Sequence, residues 1–386
     1  MSTNLLGGLS PRQFLAEYWQ KKPLLVRQAV PGFTGLATRE EIFDLACDPD
    51  VESRYVRYRP EAPGASSVEH GPQRRGRLRG KREPWTVLVQ GLNLWVAEAD
   101  ALMRRFDFIP QARLDDLMVS YAVDGGGVGP HFDNYDVFLL QGIGKRRWQI
   151  ADQDDHTLVE GAPLRLLRDF RPVHDWVLEP GDMLYLPPHW AHNGIAIGEC
   201  TTYSIGFKSP TAQELAHGFL DWLGEHLCLE GMYADPDPAL QDNSAEIPPA
   251  MIDQAARMLE GIRWSRADIA AFLGGYLTEP KPNVFFTPPA APLGRDAFAR
   301  ALAAHGGALD ARTLLLWSEQ AGFHINGEAL ACDPADRGAL AALAHRRALD
   351  AGQPLSPRLL DLFHTWYEDG FFHLTDEPSP CFNPRP

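Results

Sequence analysis

The sequence predicts an α+β protein: a double-stranded β-helix barrel with buttressing N-terminal helices, a helical segment after it, and a winged-helix-like domain at the C-terminus. Three observations predict this. The first is Gly125-Gly-Gly-Val-Gly-Pro-His131-Phe-Asp133, a glycine-rich loop running into an expected strand that opens with His-x-Asp. The second is Pro180-Gly181-Asp182-Met-Leu-Tyr-Leu-Pro187-Pro188-His189-Trp-Ala-His192, in which a Gly-Asp turn feeds a short apolar strand and a histidine follows. Its distance from the first motif suits such a barrel. The third is Glu279-Pro-Lys-Pro282 to Pro292, a proline-rich linker and the clearest boundary in the chain. The expected division is a barrel over 1–208, a helical segment over 209–278 and the winged-helix-like domain over 279–386.

Successive strand residues point to opposite faces, so His131 and Asp133 project to the same side. With one more histidine they complete the facial triad of non-haem Fe(II) oxygenases, which leaves coordination positions open. His192 is the expected third ligand, because it begins the next extended run. His189 competes with it, but follows the Pro-Pro pair in an expected turn. An Fe(II) oxygenase that uses 2-oxoglutarate buries the distal carboxylate of that co-substrate, and a buried anion needs a cation. Lys145, Arg146 and Arg147 are the candidates. Arg146 shares a strand face with Trp148 and Ile150, the face expected to look into the barrel, so Arg146 is chosen. On the preceding strand Ser120 is the one hydroxyl on the Met118/Ala122 face, either bonded to backbone or a second donor to the same carboxylate.

With these residues the chain resembles the JmjC-type 2-oxoglutarate oxygenases, and among them the bacterial ribosomal oxygenases. The resemblance is carried by Asp115-Asp-Leu-Met-Val-Ser120, the Gly-rich loop with His131-x-Asp133-x-Tyr-Asp-Val-Phe138, Gly142-x-Gly-Lys-Arg146-Arg-Trp148 and Gly181-Asp-x-Leu-Tyr-x-Pro-Pro-x-x-x-His192. It implies Fe(II), 2-oxoglutarate and O2, an arginine of a large-subunit ribosomal protein as substrate, and a homodimer. Two rivals remain: a JmjC-type N-methyl demethylase, and a cupin-like metal-binding module without turnover. The module has no need of a buried cation such as Arg146 behind its metal.

The 386 residues carry a formal net charge of −15, with 45% hydrophobic and 23% charged side chains. That balance reads as soluble, argues against a general nucleic-acid binder, and suits a basic protein partner. No apolar run is long enough to span a membrane, and the start lacks the basic stretch of a signal peptide. The five cysteines are scattered and form no Cys-x-x-Cys pair, which is consistent with a reducing cytoplasm.

Along the chain, capping boxes at Ser10–Gln13, Thr38–Glu41 and Thr211–Glu214 each announce a helix. Leu24–Val26, Trp85–Val89, the run from Leu117 and Tyr203–Phe207 read as strands. The Thr211 helix has an apolar stripe of Leu215, Phe219, Trp222, Leu223 and Leu227, and a second helix is expected over 252–273. The family resemblance makes this pair a dimer seam. Arg74 to Arg82 is a basic, glycine-spaced run, read either as a mobile solvated loop or as an RNA-facing one. Beyond the linker, helices are expected over 296–304, 334–349 and 357–366, with strands at Thr313–Trp317 and Phe323–Ile325 and a hairpin signal at Asn326-Gly327. From Lys281 onward there are 9 basic and 12 acidic side chains, so protein contact is expected there rather than DNA. A cationic substrate side chain calls for a carboxylate at the barrel mouth that is not a metal ligand. Asp124 is the expectation, since Asp136 falls on the face opposite the triad; the alternative for Asp124 is a turn residue ahead of glycine.

Overall fold

The structure, a computed structural model, describes residues 4–80 and 83–375. Eleven strands make the barrel: β1 (Leu24–Val26), β2 (Ser53–Arg57), β3 (Ser67–His70), β4 (Thr86–Val89), β5 (Leu114–Ala122), β6 (Val137–Gln141), β7 (Lys145–Ala151), β8 (His174–Leu178), β9 (Met183–Leu186), β10 (Ala191–Ile197) and β11 (Cys200–Phe207). Eight of them form one sheet in the order β1-β9-β6-β11-β5-β4-β2-β3, and β10-β7-β8 form a second. The strand pairings within both sheets are antiparallel among the described residues, as a jelly-roll barrel requires.

The two faces of the large sheet are buried for different reasons. Its inner face sends Val137, Leu139, Leu184 and Leu186 against Trp148, Ile150 and Leu178 of the small sheet. Its outer face sends Leu117, Val119, Phe138, Leu140, Tyr203 and Ile205 into a larger core with Phe14, Ile42 and Phe43. Burial on both sides explains why β6 and β9 are apolar without alternation. The outer core is closed by α1 (Pro11–Glu17) and α2 (Arg39–Cys47), which both begin with the expected capping boxes. A short α3 (Arg75–Leu78) and α4 (Ala97–Met103) complete this flank. Phe14 meets the ring of Tyr185 edge-on at 5.0 Å, a favourable aromatic geometry.

The Gly-Asp turn before β9 is held by its own side chain. Asp182 is buried, and its carboxylate accepts from the backbone N–H of Gln28 at 2.9 Å and of Glu179 at 3.0 Å, and from Arg27 at 2.6 Å. Burial opposes its ionisation, but these donors outweigh it and hold the carboxyl below its ordinary value. Asp182 therefore stabilises the fold fully above its unfolded pKa of about 3.9, and loses that contribution as pH falls through the lower folded value. Asp182→Asn is expected to lower stability near neutrality and to flatten the acid limb of a denaturation profile against pH. An unchanged acid limb would show that the turn holds without the charge.

Residue contacts divide the chain into two units, Met1–Ser209 with Lys281–Thr313 and Arg347–Pro386, and Pro210–Pro280 with Leu314–Arg346. The second unit holds α5 (Ala212–His226), α6 (Pro249–Leu259) and α7 (Arg266–Thr278). The single helix expected over 252–273 is thus two, because Gly261 follows α6 and a capping box at Ser265–Asp268 starts α7 afresh. The first unit also contains α8 (Arg295–His305) and β12 (Gly307–Leu309). In the second unit β13 (Leu315–Ser318), β14 (Gly322–Ile325) and β15 (Glu328–Leu330) form a small sheet, followed by α9 (Arg337–Arg346). Asn326 and Gly327 both have positive φ, at 50° and 95°, and make the tight β14–β15 turn. The helix expected over 334–349 stops at Arg346, since Ala348–Leu349 (β16) pairs with β12. Then α10 (Pro357–Glu368) and β17 (Phe372–Leu374) complete the first unit.

Candidate metal centre

The glycine-rich loop reaches the site by lying flat against β10. A Cβ on Gly127 would stand 2.4 Å from the carbonyl oxygen of Gly194, and one on Gly194 would stand 2.7 Å from the Trp148 ring. A side chain would force a backbone shift at Gly127 and displace the buried Trp148 ring at Gly194. The close approach lets His131 pair with His192 as an antiparallel bridge, His131 N to His192 O at 3.0 Å and the reverse at 2.7 Å. The expected strand opening with His-x-Asp is this single bridge, and regular strand resumes only at Val137.

One ligand atom from each of His131, Asp133 and His192 lies within 4.8 Å of the others. The Nδ1 of His131 is 2.9 Å from the Gly129 carbonyl, and that of His192 is 2.9 Å from the Trp190 carbonyl. A carbonyl only accepts, so each imidazole carries its proton on Nδ1 and presents a bare Nε2. His192 Nε2 stands 3.6 Å from a carboxylate oxygen of Asp133. Burial, then neighbouring His131, push the His192 pKa down to about 4 against the pull of Asp133, so the ring is neutral at physiological pH. Two bare imidazole nitrogens and a carboxylate oxygen fit a divalent transition metal, and carbonyl-anchored rings are the usual support for such ligands. His189 lies elsewhere. It has a left-handed φ of 67°, its N–H donates to the Asp133 carbonyl at 2.8 Å, and its ring lies parallel to His156.

Arg146 lies behind the triad on β7, whose alternating burial puts it on the face of Trp148 and Ile150. It is 5% exposed, yet among the described residues no carboxylate pairs with it. Its Nη2 reaches only the Cys200 sulfur at 3.6 Å, and its Nε is buried without a partner. A buried guanidinium with no counter-ion is costly unless an anion joins it. The small side chains of Ala122, Ala196 and Cys200 cluster at this level of the barrel. These residues fit a 2-oxoglutarate whose far carboxylate meets Arg146. Ser120 is buried on the inner face and donates to the Thr202 carbonyl at 3.4 Å, a long bond. Arg147, in contrast, pairs with Asp175 on the exposed side of the same strand.

Asp124 requires correction. Its carboxylate accepts from Gly198 N at 2.7 Å, just past the far end of β10 from His192. Six residues of strand separate His192 from Gly198, roughly 20 Å at about 3.3 Å each. Asp124 is the turn residue, and lines a separate cavity of about 620 Å³ with Arg39, Trp85, Tyr121 and Glu199. Asp136 is fully buried in the outer core, accepting from Tyr185 at 2.6 Å and Gln20 at 2.9 Å. The basic run is also rebound internally: Arg75 pairs with Glu40 and Asp44, and Arg77 with Glu69. Its last members, Lys81 and Arg82, lie outside the described residues, as does Cys381.

A further buried carboxylate, Asp116, was not singled out in the sequence. It is 6% exposed on β5, and strand alternation puts it on the inner face with Met118 and Ser120. The Tyr135 hydroxyl is pushed above its ordinary value by burial, then by Asp133 and Asp116. The signal was present as the inner-face parity of Asp116 with Ser120.

A JmjC domain model matches residues 101–215 and a ROXA-like winged-helix model matches 261–373. The ribosomal protein uL16 3-hydroxylase of Escherichia coli K12 is 34% identical over 343 residues, covering 88% of this chain and 89% of that protein. A probable ribosomal oxygenase of Haemophilus influenzae is 39% identical over 238 residues, 61% of this chain and 56% of that one. The solved structure of the E. coli ribosomal oxygenase YcfD with cobalt and 2-oxoglutarate superimposes with a TM-score of 0.79 at 31% identity, over 95% of this chain and 98% of that one. Near-complete coverage of both chains, at an identity where fold and domain order are shared, makes this chain a member of the JmjC-domain ribosomal oxygenase family.

Proposed function

We propose that this chain is a 2-oxoglutarate- and Fe(II)-dependent hydroxylase of an arginine side chain in the large-subunit ribosomal protein uL16. The observation that carries the reading is Arg146, a buried guanidinium without a counter-ion behind a triad of bare ligand atoms. His131, Asp133 and His192 would hold the metal, while Arg146 with Ser120 would hold the far carboxylate of 2-oxoglutarate. When bound, Fe(II) and 2-oxoglutarate supply the oxidising chemistry that, with O2, yields succinate and CO2 and puts one oxygen atom into a substrate C–H bond. The chain contributes the rest. Carbonyl-anchored imidazoles fix the ligand geometry, and the apolar lining of Val137, Leu139, Leu184 and Leu186 excludes water. Asp116 offers the incoming guanidinium a buried carboxylate, and a charge-assisted pair of this kind orients as well as binds.

A cytoplasmic homodimer acting on a nascent ribosomal component is part of this reading, with catalytic domain 1–208, dimerisation segment 209–278 and C-terminal domain 279–386. On α6, α7 and the turn between them, Ile252, Leu259, Trp264 and Ile269 are exposed, Leu259 at 61% and Trp264 at 56%. An apolar stretch of this size is the mark of a protein contact. No helix among the described residues is long and apolar enough to cross a membrane. Leu259→Glu with Trp264→Glu is expected to convert a sedimenting dimer into monomer; an unchanged sedimentation coefficient would place the dimer contact elsewhere.

The activity is tested by succinate formation and peptide mass with Fe(II), 2-oxoglutarate and a uL16 peptide. The expected product is the peptide heavier by one oxygen atom. Formaldehyde release from an N-methylated peptide would favour the demethylase instead, and metal binding without succinate would leave a binding module.

A further inference from the structure

Asp116 is held on one side only. Its Oδ2 accepts from Gln90 Nε2 at 2.7 Å and from the Gly91 N–H at 3.1 Å, with Lys281 Nζ at 3.8 Å. Among the described residues its Oδ1 has no hydrogen bond. One carboxylate oxygen is thus occupied by donors and the other is left open.

Gln90 is itself held from behind. Its Oε1 accepts from Arg54 Nη2 at 3.2 Å, and its backbone N–H is tied to the Glu52 carbonyl at 2.9 Å. A guanidinium only donates and a carboxylate only accepts, so the amide between them has a single workable orientation. Arg54 continues toward the inner face, with its Nη2 4.0 Å from the Met118 sulfur. It pairs across the sheet with Leu88, which in turn pairs with Ser120, so the network starts from the same row as the candidate co-substrate residues.

We infer that Gln90 is a positioning residue for substrate recognition: bridging Arg54 and Asp116, it fixes Asp116 with Oδ1 turned to the substrate's cationic side chain. The inference rests on the reading that Asp116 receives the guanidinium. A buried carboxylate tends to take up a proton, and a neutral acid reads a cation poorly. The bridge opposes this by directing the donor end of a polarised amide at Oδ2, and Lys281 adds its charge near the same oxygen. Burial, joined by Asp115, raises the Asp116 carboxyl, and Lys281, Gln90 and Gly91 offset only part of that rise. A half turn of the carboxylate only exchanges its two equivalent oxygens, whereas a smaller rotation breaks the bonds from Gln90 and Gly91, so these donors fix the plane in which the free oxygen is presented.

The test compares KM and kcat for uL16 peptides carrying arginine or norleucine at the modified position, with KM for 2-oxoglutarate measured beside them. The proteins are wild type, Asp116→Asn, Gln90→Leu and Arg54→Met. Gln90→Leu is expected to raise the arginine-peptide KM about 10–100-fold, the usual cost of losing an orienting partner. It should lower the arginine-over-norleucine preference while kcat and the 2-oxoglutarate KM stay near wild type. Arg54→Met should move the same quantities in the same direction by less, and it carries the test if Gln90→Leu does not fold. If Asp116→Asn raises the peptide KM and both bridge variants leave it unchanged, Gln90 has no positioning role and the inference fails alone. If Asp116→Asn itself leaves the peptide KM and the preference unchanged, the assignment of Asp116 falls and takes the inference with it. Parallel losses in peptide KM, kcat and 2-oxoglutarate KM would reduce Gln90 to a structural residue.

Discussion

Alanine at His131, Asp133 or His192 is expected to abolish Fe(II)-dependent succinate formation and to remove most of the affinity for a probe metal such as Co(II) or Mn(II). Each supplies one of three converging ligand atoms, and a metal held by three protein ligands loses its facial geometry when one is gone. Loss of a residue that only orients a ligand would cost about 10–100-fold, so a much larger loss separates the two roles. His189→Ala is the control. Its ring stacks with His156 rather than facing the metal ligands, and turnover should persist. Calorimetric metal titration and thermal melts on the same proteins distinguish a lost metal from a lost fold. Full activity in His192→Ala with loss in His189→Ala would reverse the choice between the two histidines.

Arg146→Ala should produce the second large effect, a rise in the 2-oxoglutarate KM of roughly 100-fold or more. Removing one partner of a buried ion pair costs about 3–5 kcal/mol, because the remaining charge is stranded in a poorly solvated site. The measurement is succinate formation against 2-oxoglutarate concentration. Arg147→Ala is the matched comparison. Arg147 meets Asp175 with both side chains more than a third exposed, and such surface pairs contribute about 0–1 kcal/mol. A large KM change in Arg147→Ala with none in Arg146→Ala would mean that β7 presents its other face to the co-substrate.

These two predictions start from a parity argument, and parity is what a sequence reveals well. Arg146, Trp148 and Ile150 alternate with Lys145, Arg147 and Gln149 in β7, and the burial of the strand follows that alternation. The same argument would have located Asp116, two residues before Met118 and four before Ser120. Asp124 and Asp136 are nearer to His131 in sequence, but proximity along the chain is a weaker guide than strand register. β2, β3 and β8 were not foreseen. β3 and β8 are short and partly exposed, and neither carries a strong period-two pattern; pairing with β2 and β7 makes them strands.

What the sequence by itself determined was local. Capping boxes at Ser10, Thr38 and Thr211 and the Asn326-Gly327 turn work through bonds spanning a few residues, so their chemistry is complete within the motif. The barrel itself was legible because its two motifs pair a turn with an apolar strand at a fixed spacing. Only the tertiary structure decided where carboxylates end up, because that depends on which strands become neighbours. Asp124 is drawn off by the Gly198 N–H across a chain separation of 74 residues, and Asp136 by Tyr185 across 49. Arg75 and Arg77, equivalent by composition to the exposed arginines beside them, are neutralised by Glu40 and Asp44 of α2 and Glu69 of β3. A charge is available to a ligand only when no neighbour has already claimed it, and long-range packing chooses the neighbours.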